Sequence, residues 1–381
     1  MHLRPKLSSP GAALAPIALA FVVCTASALA AAAIHRSKSQ TIEPPDVPPN
    51  LITRAWIHWD AGWYAAIAAD GYWYHPGEQS PVAFFPVYPS AVGALHALGV
   101  NRYWAGILIT AVCGLAGLFV FNRWARRLQG DAVALTATTL FALYPFSFYL
   151  YGVMYSDALF LLAVVGAFYA LEKDRLWPSV ALGIVATAAR PVAPAVMIGL
   201  IARRIEQRRS RGERLRACDL ALALTGLGLV AYMAFLWYRF GDPLAFIHVQ
   251  SAAGWMQPPG AATWLKLDLL HRVHRDPTEF GTWIRLANAA AALGALAVAI
   301  PTWRRWSKAY AMYIAIVVGV PALSTKDFMG LGRYVIAAFP LFITLAAWLQ
   351  ERPRLRAAWV AVSAVVLVGL SMAFAVGRYV A

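Results

Sequence analysis

Runs of about 20 residues with almost no charge recur along this chain, at 11–34, 104–122, 132–151, 156–171, 218–238, 284–301, 309–323, 334–349 and 357–377. In lipid every backbone N–H and C=O must find its partner within the protein, and only helices and closed barrels achieve that. A helix of about 20 apolar residues crosses the ~30 Å hydrocarbon layer, so these runs predict helices. The stretch 176–202 is too long for one span and is interrupted at AARPVAPA. It reads as two short helices meeting at Arg190-Pro191, a break tolerated at depth where it lines a cavity. The expectation is an all-α polytopic membrane protein of about eleven transmembrane helices, one membrane-embedded domain over residues 1–381.

Composition agrees: 60% of the chain is hydrophobic and 13% charged, against roughly 25% charged in soluble domains. A formal charge of +15 would suggest nucleic acid in a soluble protein; here topology accounts for it. With the N-terminus inside, the inner loops hold Arg4 and Lys6, Arg123, Arg126 and Arg127, Lys173 and Arg175, the arginines from Arg203 to Arg216, Arg304, Arg305 and Lys308, and Arg352, Arg354 and Arg356, most of the 33 basic residues. Cytoplasmic loops carry such an excess. This orientation gives a large first extracytoplasmic loop at 35–103, a basic cytoplasmic loop at 203–217 and a second extracytoplasmic loop at 239–283. The run RRIEQRRSRGERLR is then a topology determinant touching anionic membrane lipid, with no nucleic-acid role.

Arg4 and Lys6 precede an apolar run ending in ASALAAAA, which has the outline of a signal peptide. The run is longer than a signal core, so it reads as a retained anchor. The Pro-rich SKSQTIEPPDVPPN that follows reads as an extended linker. The Pro-broken 84–99 is too short to cross and reads as a helix lying along the membrane. Cys24, Cys113 and Cys218 lie in or beside apolar spans and outline no disulfide framework or metal site.

The chemistry concentrates in HWDAGWYAAIAADGYWYHPGEQSPVAFFPVYP, residues 58–89, where Asp60 stands among Trp56, Trp59, Trp63 and Tyr64. The bland reading is an N-cap aspartate in an interfacial aromatic belt. Asp157 opens YSDALFLL and invites the same reading. Arg190 sits in an apolar stretch with no local partner, and embedded charges usually line a functional cavity. Arg333, in KDFMGLGRYVIAAFP with Lys326 and Asp327 nearby, either snorkels or joins a site. His271 and His274 are three apart but lack a third metal ligand. His58 and His75 flank Asp60, and Asp70 has no acidic partner. No metal or cofactor is expected, and no phosphate-binding glycine loop or Ser/His/Asp arrangement is present. One outward carboxylate with later arginines matches a specific need. A general base must reach a hydroxyl, and a departing phosphate needs fixed positive charge, which arginine supplies bidentately.

At these residues the chain resembles the GPI mannosyltransferase II family, the PIG-V-like branch of the GT-C glycosyltransferases. The resemblance rests on WDAGWYAAIAADGY with AFFPVYP (59–72 and 83–89), YSDALF (155–160), AARP (188–191), and GDPLAFIHVQSAAGW (241–255) with GRYVIAAFPLF (332–342). It implies a GT-C bundle, a polyprenyl-phosphate-linked mannosyl donor, and inverting transfer to a lipid or glycan hydroxyl on the extracytoplasmic side. Asp60 matches the family's catalytic aspartate, and Arg190 and Arg333 its donor phosphate-binding groups. His58, Trp59, Trp63, Tyr64 and Asp157 become candidate substrate-binding residues. His58 stands where the family often has arginine, which puts acceptor recognition in doubt, and Asp157 where it commonly has glutamate. The high Ala and Arg content suggests a bacterial member, so the eukaryotic acceptor is not carried over. A transporter or flippase of a lipid-linked or polar solute would also explain Arg190 and the Pro-broken helices. Such folds tend to show internal repeats, and none is evident. A membrane scaffold would leave the composition around Asp60 unexplained.

Overall fold

The apolar runs form helices in the computed structural model, which describes residues 14–35 and 47–380. Arg4, Lys6, the start of the first run and most of the Pro-rich linker lie outside the described residues. The first long helix, α1 (Leu14–Ile34), is followed by three short ones: α2 (Leu51–Trp56), α3 (Asp60–Asp70) and α4 (Val87–Ala97). Then come α5 (Arg102–Ala142), α6 (Asp157–Glu172), α7 (Leu176–Thr187), α8 (Ala193–Ser210) and α9 (Leu227–Phe240). Three more short helices, α10 (Ala245–His248), α11 (Ala261–Trp264) and α12 (Leu267–Arg275), lead to α13 (Phe280–Arg305) and α14 (Lys308–Ser324). The chain closes with α15 (Leu331–Tyr334), α16 (Pro340–Gln350) and α17 (Pro353–Ala375).

Among the described residues, five helices are long and apolar enough to cross a membrane, or six if Leu331–Ala338 (α15 and the 3-10 turn after it) and α16, bent by 78°, form one span. This is fewer than the eleven expected, because several apolar runs form helices shorter than a bilayer. The two runs expected at 104–122 and 132–151 are joined in α5, broken where Gly130 leaves helical geometry at φ 77°. The second ends at Ala142, well before residue 151. Pro145 disfavours helix at the residue before it, and the connection Phe146–Tyr155, with only a 3-10 turn at Ser147–Leu150, runs through the interior as a segment of buried Phe, Tyr and Leu side chains. Apolarity alone cannot tell such a segment from a span. The break expected at Arg190-Pro191 is present between α7 and α8. The basic stretch expected as a loop at 203–217 is helical as far as Ser210. The segment 84–99 forms α4, whose 11 residues extend about 16 Å, too short to cross. The three cysteines are free.

Helix pairs α5–α6, α6–α7, α8–α14, α13–α14, α1–α17 and α5–α16 build the bundle. Its two ends differ in chemistry. Glu172, the last residue of α6, takes two hydrogen bonds from Arg203 (2.7 and 3.1 Å) and one from the Tyr310 hydroxyl (2.6 Å). Glu206 caps α14, accepting from the N–H groups of Lys308 and Ala309 at 2.6 and 3.0 Å. Asp157 lies at the other end of α6, about 22 Å away by helical rise. There a small second core of Val82, Phe85, Tyr232, Leu236, Ala245, Phe246, Val249 and Ala252 clamps the segment after α3 to α9 and α10. The Tyr232 hydroxyl donates to the Val82 carbonyl at 2.9 Å. That clamp closes one side of a cavity.

Packing of α5 against the buried connection depends on Gly114. A β-carbon there would lie 2.0 Å from the Leu150 carbonyl oxygen, whereas one at Gly117 meets nothing closer than 3.4 Å. Gly114→Ala is expected to destabilise the protein by about 1–3 kcal/mol, lowering the unfolding temperature in detergent. Gly117→Ala should leave it near wild type. Equal melting of the two variants would contradict this packing.

Candidate active site

Asp60 is the first residue of α3, and its geometry is set by an unusual turn. Trp59, the preceding residue, has φ 54° and ψ −114°, and its side chain makes no cap. The His58 carbonyl accepts from the Ala61 N–H at 3.1 Å. Neither Asp60 nor Asp157 is an N-cap: each opens its helix as the first residue, after Trp59 and Ser156. A carboxylate in a first turn is favoured by the helix dipole, but these side chains turn to arginines instead.

Arg333 donates to Asp60 Oδ2 at 3.0 Å. Its Nε lies 3.9 Å from Asp157 Oδ2. Arg190, partnerless in the local sequence, donates to Asp157 Oδ1 at 2.6 Å from 33 positions away. Tyr334 lies under the Arg190 guanidinium at 4.4 Å, and the Tyr155 ring under that of Arg333 at 4.9 Å. Arg190 and Asp157 have side chains only 6% and 2% exposed, whereas Asp60 keeps 24%. The cluster is thus a neutral chain of two carboxylates and two guanidinium groups, with Asp60 at its accessible end. Snorkelling does not describe Arg333, which points inward. Asp327 pairs with Arg285 instead.

These groups face a cavity of about 180 Å³ lined by Asp60, Tyr64, Phe84, Ser156, Arg190, Gln250, Trp255, Gln257, Arg333, Tyr334 and Tyr379, among others. Burial and the nearby Asp60 charge push the Tyr64 phenol up, so it stays protonated; it donates to the Ser156 hydroxyl at 2.9 Å. The cavity offers a carboxylate able to take a proton, two guanidinium groups able to hold an anion, and an aromatic and carboxamide wall suited to a hydroxyl-rich ligand. A larger groove of about 500 Å³ between α13 and α14, lined by Leu296, Ile300, Trp303, Arg304 and Met312, holds no carboxylate.

The other expected residues are placed differently. His58 is buried with its ring edge-on to Phe374 at 5.3 Å and does not line the cavity. Burial holds its imidazole below the usual value against the nearby Arg54 and Ala375 carbonyls, leaving it neutral at pH 7. The Trp59 ring packs against Tyr379 at 5.0 Å, and Trp63 stacks behind Phe84 at 5.9 Å, so both support the wall without lining the cavity. Asp157 does not line the cavity and is held by the arginines beneath it. His75 and Asp70 are exposed away from the cavity, and His271 and His274 lie on α12. Among the described residues no group of three or more His, Cys, Asp or Glu is placed to hold a metal. Sequence reasoning missed Gln257 and Tyr379. Tyr155 and Ser156 lie inside YSDALF, Tyr334 inside GRYVIAAFPLF, and Gln250 and Trp255 inside GDPLAFIHVQSAAGW, without having been singled out.

No protein-family model matches the chain. Over 146 residues it is 34% identical to human GPI alpha-1,6-mannosyltransferase 2, a match covering 35% of this chain and 28% of that protein. The similarity therefore spans less than a third of that relative's length. Among solved structures, ArnT from Cupriavidus metallidurans bound to undecaprenyl phosphate superposes with a TM-score of 0.52 and 17% identity, over 91% of this chain and 61% of that one. The Archaeoglobus fulgidus oligosaccharyltransferase tethered to an acceptor peptide gives 0.49 and 12%, over 96% and 55%. The likeness to ArnT gives the fold: an all-α, multi-pass membrane bundle of ArnT's architecture.

Proposed function

We propose that this chain is an inverting glycosyltransferase that moves a mannosyl or related residue from a polyprenyl-phosphate-linked donor to a hydroxyl of a lipid or glycan acceptor. The observation that carries this reading is the meeting of Asp60, Arg190 and Arg333 at one cavity, from three distant parts of the chain. The human relative's name specifies mannosyl transfer, and the ArnT structure holds undecaprenyl phosphate; both favour this substrate class. Asp60 takes the proton of the acceptor hydroxyl as that oxygen attacks the anomeric carbon. The bond from that carbon to the phosphate oxygen breaks on the opposite face, inverting the centre. The polyprenyl phosphate leaves with the bonding pair, toward Arg333 and Arg190, whose guanidinium groups stabilise the developing charge. Arg333 is shared, since the phosphate competes with Asp60 for it. Arginine bias favours a cytoplasmic N-terminus and an outward-facing cavity, and the basic residues around Glu172 and Glu206, at the far end of α6, suit that orientation.

The test is transfer of labelled mannose from polyprenyl-phosphate-mannose to membrane acceptors by the purified protein. Transfer with inversion is the expected result. A folded protein inactive with mannosyl, other hexosyl and pentosyl polyprenyl phosphates would sink the reading.

A further inference from the structure

The Tyr155 hydroxyl is used twice, on the two sides of one residue. It accepts from the Asp60 N–H at 3.1 Å and donates to the His58 carbonyl at 3.4 Å. Between those peptide groups stands Trp59, at φ 54° and ψ −114°. With the His58–Ala61 hydrogen bond, this is the first central position of a type II′ turn, where glycine is the usual occupant. A β-carbon there is strained, and such a conformation persists only when its surroundings over-determine it. The surroundings here are the Tyr155 hydroxyl on one side and the Tyr379 ring, 5.0 Å from the Trp59 ring, on the other. Tyr155 is 1% exposed. Its ring also lies 4.9 Å from the Arg333 guanidinium.

We propose that Tyr155 is a positioning residue, whose phenol pins the strained turn so that the Asp60 carboxylate faces the cavity and whose ring seats Arg333 beside it. The inference rests on the role given to Asp60 above. Tyr155 meets no substrate in this scheme; it fixes the distance between the base and the cation that receives the phosphate. A hydroxyl acting only on Asp60 placement changes the chemical step and leaves donor binding alone.

The experiment compares Tyr155→Phe with Tyr151→Phe in the full-length protein. Tyr151 is an equally buried tyrosine of the same connection, whose hydroxyl bonds the Ala142 carbonyl at 2.5 Å away from the cavity. Hydrogen exchange of the peptide spanning residues 58–62 is read first, since it needs no assumed reaction. Tyr155→Phe should speed exchange there at least tenfold, with Tyr151→Phe matching wild type. In the transfer assay Tyr155→Phe should lower kcat ten- to a hundredfold and change donor KM less than twofold. Unchanged exchange in Tyr155→Phe, or equal losses in both variants, overturns the proposal. Inactivity of wild type with every donor removes the reaction, while the exchange result still decides whether Tyr155 pins the turn.

Discussion

Asp60→Asn is expected to lower kcat by a factor of about 10²–10⁴, the range general-base catalysis supplies, with the protein still folded. The substitution keeps the volume, and the amide oxygen can still accept from Arg333, which lies 3.0 Å away. What is lost is the ability to take a proton and one negative charge in a cluster that is otherwise balanced. The remaining charges, Asp157 with Arg190 and Arg333, then sum to one positive. Donor phosphate should bind at least as well as in wild type, so donor KM stays level or falls while turnover collapses. That split separates a missing base from a damaged binding site, because a lost binding interaction raises KM instead. Steady-state transfer kinetics with the melting temperature measured in parallel make the check. Turnover within tenfold of wild type in a folded variant would remove Asp60 from the role.

Much of this site was legible in the chain because charge is conspicuous in an apolar background. Asp60, Asp157, Arg190 and Arg333 stand out since an ionised group in a membrane protein needs a partner or a function. The structure brings all four together. Their pairing was not legible. Asp60 and Arg333 are separated by 273 positions, and no local pattern says which carboxylate meets which guanidinium. The capping reading of both aspartates failed for the same reason, since a distant arginine outcompetes the local N–H groups that a cap would serve. His58 was misleading through proximity: it lies two residues before Asp60, but the turn at Trp59 sends its ring toward Phe374. Tyr379 carries no signal in a chain with 16 tyrosines, and Tyr155, though inside YSDALF, is not marked out by its type. The fold divides similarly. The break at Arg190-Pro191 was written in the residues, whereas the buried connection after Ala142 was not, because an irregular interior segment is as apolar as a span.

The Arg190–Asp157 pair should behave as a buried unit whose halves cannot be removed singly. Both side chains are nearly inaccessible, so Asp157→Asn leaves a guanidinium without its countercharge at depth. Breaking such a pair costs about 3–5 kcal/mol, and a large drop in melting temperature in detergent is expected from Asp157→Asn or Arg190→Met. Replacing both partners by apolar residues of similar size, as in Asp157→Leu with Arg190→Met, removes the uncompensated charge. Buried pairs replaced in this way are often neutral or more stable by about 1–4 kcal/mol, so the double variant should recover most of the stability. Activity should not recover with it. Arg190 lines the cavity, and without it the departing phosphate keeps only Arg333, itself held by Asp60. A stable double variant that transfers no sugar assigns the pair to phosphate binding as well as to packing. A stable double variant with wild-type turnover would confine Arg190 to a structural role and leave Arg333 as the phosphate's cation. Failure of the double variant to recover stability would trace the cost to Arg333, whose Nε is 3.9 Å from the same carboxylate, and would show the four charges to be one coupled unit.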